Sequence, residues 1–188
     1  MRPRTLLLCG AALLAALGCA GHSGGAPRSA TPASQLIYQA SLTADSSSWR
    51  LEQDPDGTRS SETHVLLDLL APAGTSGQGF TVVLATDPAN AVWSRVDGTH
   101  YAVQSLFSSP QVSIISVSNS GSDLRIVFGQ APGTPVPYGT GAVVQVALDL
   151  APGATLGDVT LTAENAGNLG AGSPPVPVTV AIGSLLAK

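Results

Sequence analysis

A chain of 188 residues that is 44% apolar and 11% charged, with 21 Gly and 14 Pro, has the length for one core and the turn content of short strands rather than long helices. Its formal net charge is −4, more negative still once Arg2 and Arg4 are set aside with the leader, and no Lys/Arg cluster occurs. That excludes the electrostatic footprint of phosphate-backbone binding, so nucleic acid is not an expected partner.

The first element is an export signal. Arg2 and Arg4 precede an apolar run from Leu6 to Leu17, too short for a permanent membrane span. The run ends in Ala16-Leu17-Gly18-Cys19, which resembles the lipobox of bacterial lipoprotein signal peptides. The resemblance implies removal of residues 1–18 and lipidation of the Cys19 thiol, with palmitate among the acyl chains. Cys9 lies inside the leader, so the mature chain has one cysteine, at its first position, and no internal disulfide to form. Several acyl chains anchor stably because each buried CH₂ contributes ~0.8 kcal/mol. Ala20 after the cysteine implies, by the same resemblance, the outer membrane or cell surface.

Residues 19–34 read as the lipidated cysteine and a flexible Gly/Ser/Pro/Ala linker. Gly21-His22-Ser23-Gly24-Gly25 matches G-x-S-x-G formally, but a nucleophile elbow needs a strand before it and a helix after it. No catalytic role is assigned to it.

From residue 35 to 188 the pattern is period two, the signature of an all-β domain. Weak strands are expected at 36–42 and 49–51. His64–Leu70 and Phe80–Ala85 are expected to pair across the loop 71–78, and 112–117 with 124–128 across Ser118–Asp123. Ala142–Leu150 reads as a half-buried strand, with Val144, Val146 and Leu148 on one face and Val143, Gln145 and Ala147 on the other. Val159–Glu164 and Val176–Ile182 each read as one continuous strand. About eight or nine antiparallel strands in two packed sheets, a jelly-roll-like β-sandwich behind a disordered signal and tether, is the expected fold.

Between Phe80 and Trp93 the alternation breaks at Asp87-Pro88. Proline has no N–H to continue a central ladder, and an aspartate before it accepts local backbone N–H groups, so this is expected to be a structural corner. The segment "GFTVVLATDPANAVWSRV" resembles the cohesin and carbohydrate-binding-module superfamily, with Phe80, Leu84, Asp87 and Pro88 on the family's pattern and Thr86 in place of its usual tyrosine. "LRIVFGQ", "GTGAVVQVALDL" and "VTVAIGSL" follow in the family's order. Cohesins bind a helical partner, the dockerin, on one sheet face, so the resemblance implies protein–protein contact; the superfamily's other branch makes a polysaccharide the alternative partner.

Chemistry is thinly provided. His22, His64 and His100 have no His or Cys at metal-ligand spacing, Asp54-Pro55-Asp56-Gly57 lacks the remainder of a calcium loop, and Glu52, Glu62 and Glu164 sit in no glycosidase motif. No catalytic residue, metal or cofactor is expected. A sugar platform would need exposed rings; Trp93, Tyr101 and Tyr138, the last in the Pro-rich loop 130–140, are the candidate ligand-contact aromatics. The reading is a non-enzymatic, lipid-anchored envelope protein whose sandwich surface contacts an unidentified protein.

Overall fold

Alternation in Phe80-Thr81-Val82-Val83-Leu84-Ala85-Thr86 translates directly into a strand whose even positions are buried and whose odd positions are half-exposed. The computed structural model describes residues 30–57, 60–94, 101–103, 113–119, 122–129, 133–170 and 174–188, with only the backbone path described for 101–103 and 113–119. The signal 1–18, Cys19, the linker to residue 29, His22 and His100 lie outside the described residues. Among those described there is no α-helix.

The strands in chain order are Leu36–Gln39 (β1), Trp49–Gln53 (β2), His64–Leu70 (β3), Ser76–Gly77 (β4), Gly79–Thr86 (β5), Ala91–Trp93 (β6), Tyr101–Val103 (β7) and Ser113–Asn119 (β8). They continue with Asp123–Gly129 (β9), Val136–Pro137 (β10), Ala142–Leu150 (β11), Gly157–Val159 (β12), Leu161–Leu169 (β13), Val176–Pro177 (β14), Val180–Ala181 (β15) and Ser184–Ala187 (β16). One main sheet runs β15-β2-β3-β11-β6, with β7 also on β11; the other runs β14-β13-β5-β9-β8. A small sheet β1-β16-β12 joins the first described strand to the last, and β10 pairs with β4. All pairings are antiparallel except β15 with β2.

The core lies between the two main sheets. Phe80, Val82 and Leu84 of β5 and Leu124, Ile126 and Phe128 of β9 come from one side; Leu51, Val65, Leu67, Leu69, Val144, Val146 and Leu148 come from the other. Trp49 of β2 stacks on Phe80 of β5 at 4.3 Å between ring centroids, an aromatic contact across the sandwich. At the close of the chain, Tyr38 donates to the Leu51 carbonyl at 2.7 Å and accepts from Gly183 N at 2.8 Å. Gly183 itself sits against the Gln39 carbonyl, where a Cβ has no room.

Four expectations need correction. His64–Leu70 and Phe80–Ala85 do not pair: β3 pairs with β2 and β11, while β5 pairs with β9 and β13. The intervening loop carries the chain from one sheet to the other. The stretch 159–164 is likewise split at Thr160, since β12 pairs with β16 while β13 joins the sheet of β5. Val176–Ile182 is split too. Pro175 and Pro177 have no N–H for a continuous ladder, and the chain leaves β13 at Val176–Pro177 to pair in parallel with β2 at Val180–Ala181. Finally, β11 is buried on both faces: Ala147 is fully buried and Gln145 nearly so, while the bulge at Ala142/Val144 turns Val143 into the core. It is a central strand, with β3 on one side and β6 and β7 on the other.

Candidate contact surface

The two main sheets differ in what their outer faces present: that of β11 carries a cleft of about 480 Å³ lined by Arg50, Glu52, Asp54, Asp68 and Gln145. Beside that cleft the outer positions Leu66 and Ala147 are buried, and Gln145 lies under Asp54, to which its Nε2 donates at 3.1 Å. The same Nε2 donates to Asp68 Oδ1 at 2.8 Å. Two nearly buried carboxylates thus share one amide, which offsets part of the cost of taking them from water. Asp56 N caps Asp54 Oδ1 at 2.9 Å, so Asp54-Pro55-Asp56 forms a local turn.

The sheet holding β5 presents the complementary set. Thr81, Val83 and Ala85 of β5 and Val127 of β9 are half-exposed; Asp123 and Arg125 of β9 and Thr162 and Glu164 of β13 are exposed. Register places Glu164 opposite Val83, and Val83 opposite Arg125, in one row across three strands. A bulge between Glu164 and Gly167 interrupts β13, with Asn165 in the left-handed region at φ 50°. After the bulge Pro175 lies against Gly167, where a Cβ would come within 2.9 Å of the proline Cβ and 3.3 Å of Thr81 Cγ2. The result is a shallow groove of about 540 Å³, bordered by Pro175 and Pro177 and floored by Thr81, Val83 and Val127.

The aromatic candidates are placed differently from the expectation. Trp93 is 2% exposed, its indole N–H donating to the Ser122 carbonyl at 3.0 Å. Tyr138 is fully buried: its hydroxyl lies 2.8 Å from the Gly79 carbonyl and 2.7 Å from Asn168 Oδ1, and its ring meets Trp49 edge-on at 5.6 Å. Burial pushes the Tyr138 phenol up to about 12, against a smaller lowering by the Gly79 bond. Both rings are therefore packing residues and not surface contacts. The Tyr101 side chain lies outside the described residues. Every aromatic side chain that is described, Tyr38, Trp49, Phe80 and Phe128 included, is buried.

At the corner after β5, Asp87 accepts from Ala89 N at 3.0 Å and from Asn90 Nδ2 at 2.9 Å. Asn90 Oδ1 in turn accepts from Thr155 N at 3.0 Å, tying this corner to the loop before β12. His64 Nδ1 meets Asp149 Oδ1 at 2.5 Å in a directly opposed pair of β3 and β11. Among the described residues no group of three or more His, Cys, Asp or Glu is arranged to hold a metal ion.

In the sequence the inward residues of β5 stand out, while Thr81, Val83, Arg125 and Val127 carry no motif. The available signal was the composition of the outward set, which is small and partly apolar where a wholly solvated face would be charged.

No protein-family model matches the chain, and no curated protein matches it. Among solved structures, a type II cohesin domain from the cellulosome of Acetivibrio cellulolyticus matches with a TM-score of 0.52 and 13% sequence identity, over 73% of this chain and 93% of that one. At that identity the likeness is one of fold. The chain folds as a cohesin-like β-sandwich.

Proposed function

We propose that this protein is a non-enzymatic, lipid-anchored component of the cell envelope that works by protein–protein contact through the outer face of the sheet β14-β13-β5-β9-β8. The observation that carries the reading is the contrast between the two sheets: the outer face of one carries a polar cleft lined by Arg50, Glu52, Asp54, Asp68 and Gln145, and the other is a groove of small, mostly apolar half-exposed side chains flanked by Arg125 and Glu164. The cohesin-like fold supports it. Anchoring through Cys19 rests on the lipobox resemblance, and outer-membrane residence on Ala20.

The test has two arms. Palmitate labelling of the chain is expected and should vanish in Cys19→Ala; labelling unchanged by that substitution removes the anchor. Envelope proteins captured by the chain should be lost when Thr81→Trp fills the groove and retained when Glu52→Ala alters the other sheet. Equal loss in both variants, or in neither, overturns the choice of face. Binding to insoluble polysaccharides is expected to be absent, because no described ring is exposed to stack on a sugar; retention on a polysaccharide would move the assignment to the alternative, an anchored carbohydrate-binding module.

A further inference from the structure

We infer that the partner received by this face is a second copy of the same chain, stacked on it about a twofold axis that runs parallel to β5, over Val83 and midway between the two faces. The inference rests on the reading of the face as a contact surface and names its occupant.

The row Glu164, Val83, Arg125 crosses three neighbouring strands in register, so the acid and the base stand one strand to either side of Val83. Both are exposed, and among the described residues neither forms an ion pair within the chain. A twofold axis along β5 sends each flanking strand to the position of the other. Arg125 of one copy then faces Glu164 of its partner, twice over, with Val83 against Val83 between them. Asp123, in the adjoining row with Ala85 and Thr162, falls opposite a threonine and not a like charge. The other twofold axis within the plane, along the row, would set Arg125 against Arg125 and is disfavoured. An isologous contact requires this self-complementarity.

Shape agrees. Thr81, Val83, Ala85 and Val127 form a low surface between the longer Arg125 and Glu164 side chains, and such a face packs on another sheet at ~10 Å with strand directions nearly aligned. The ridge of Pro175 and Pro177 stands at the β14 edge, and the same axis carries it over the opposite, β8 edge of the partner.

Size sets the strength. Four strands of seven to nine residues, ~4.8 Å apart, with the two-residue β14 at their edge, make a face of at most roughly 19 by 23 Å, so stacking two buries at most on the order of 900 Å² in total, which is the range of transient contacts. The contact is therefore weak in dilute solution. Confinement of copies to one surface raises their effective concentration.

The test uses the full chain in the envelope with Val83→Cys and a short bis-maleimide linker. A cross-linked dimer is expected, absent from the parent chain with Val83 intact. Arg125→Glu alone and Glu164→Arg alone should each reduce the dimer about tenfold, and the double exchange Arg125→Glu/Glu164→Arg should restore it to within about twofold. Rescue by the double exchange distinguishes a second copy from any foreign partner, which would meet a face with both charges reversed. If no dimer forms while capture of another envelope protein is lost in Thr81→Trp, the second-copy inference is overturned and the contact reading stands. A dimer indifferent to the charge changes overturns the proposed axis. If capture and dimer are both missing, both readings fall. Far-ultraviolet circular dichroism matching the parent in every variant keeps misfolding out of the comparison.

Discussion

Between about pH 10 and pH 12 the protein should lose stability through Tyr138. The phenol is held near 12 in the folded chain and returns to 10.0 on unfolding, so the folded form resists ionisation and the unfolded form does not. Below pH 10 both forms are protonated and the full stability is present; above it the unfolded state sheds its proton first, and stability falls until the folded phenol also ionises. A difference of this size costs on the order of 1 kcal/mol at pH 11 and about 2 kcal/mol at pH 12 from this residue alone. The composition makes the experiment clean, because Lys188 is the only lysine and arginines stay charged throughout. Urea midpoints, read from the fluorescence of Trp49 and Trp93 at each pH, should show this decline in the parent chain. In Tyr138→Phe the starting stability should be lower by ~1–2 kcal/mol, because the Gly79 carbonyl and Asn168 lose the hydroxyl they share, while the alkaline decline becomes shallower. Tyr38, also raised by burial, accounts for part of the remaining slope, so Tyr38→Phe should flatten it further. An alkaline slope identical in Tyr138→Phe and the parent would refute the reasoning.

Two further substitutions probe how the sandwich is closed and covered. Gly183→Ala should destabilise the chain by ~2–3 kcal/mol or prevent its folding, since the added Cβ must displace the Gln39 backbone where the last strands meet the first; a melting temperature within a degree or so of the parent would contradict that contact. Gln145→Leu removes the amide that serves both Asp54 and Asp68. Its urea midpoint should fall by the equivalent of about 3 kcal/mol, and a neutral result would mean that the two carboxylates are stabilised elsewhere.

Period-two alternation was enough to read the fold class, and it located β3, β5, β9 and β11 to within a residue or two. It cannot say which sheet a strand belongs to. Val159 and Leu161 continue one pattern although Thr160 is where the chain changes sheets, and Val176 to Ile182 alternate without a break across the passage from β14 to β15. Inward pointing is compatible with either sheet when both line one core. Burial on the second face of β11 was illegible for a related reason: Gln145 reads as solvated until Asp54, 91 positions away, is seen above it. Trp93 and Tyr138 misled because an aromatic beside polar or Pro-rich sequence looks surface-bound, while each ring's polar tip finds a backbone carbonyl inside. The β5 face was hidden by its ordinariness, since Thr81, Val83 and Val127 carry no motif and gain meaning only from the groove and register that join them.

Site-specific photo-crosslinking in intact cells that produce the chain addresses the choice of face most directly, with a benzophenone side chain placed at Thr81 in the groove and, separately, at Glu52 on the opposite sheet. Adducts to protein, whether to a second copy or to another chain, are expected from position 81 and not from position 52. Adducts from position 52 alone, or none from either, would contradict a protein that works through the β5 face of its sandwich.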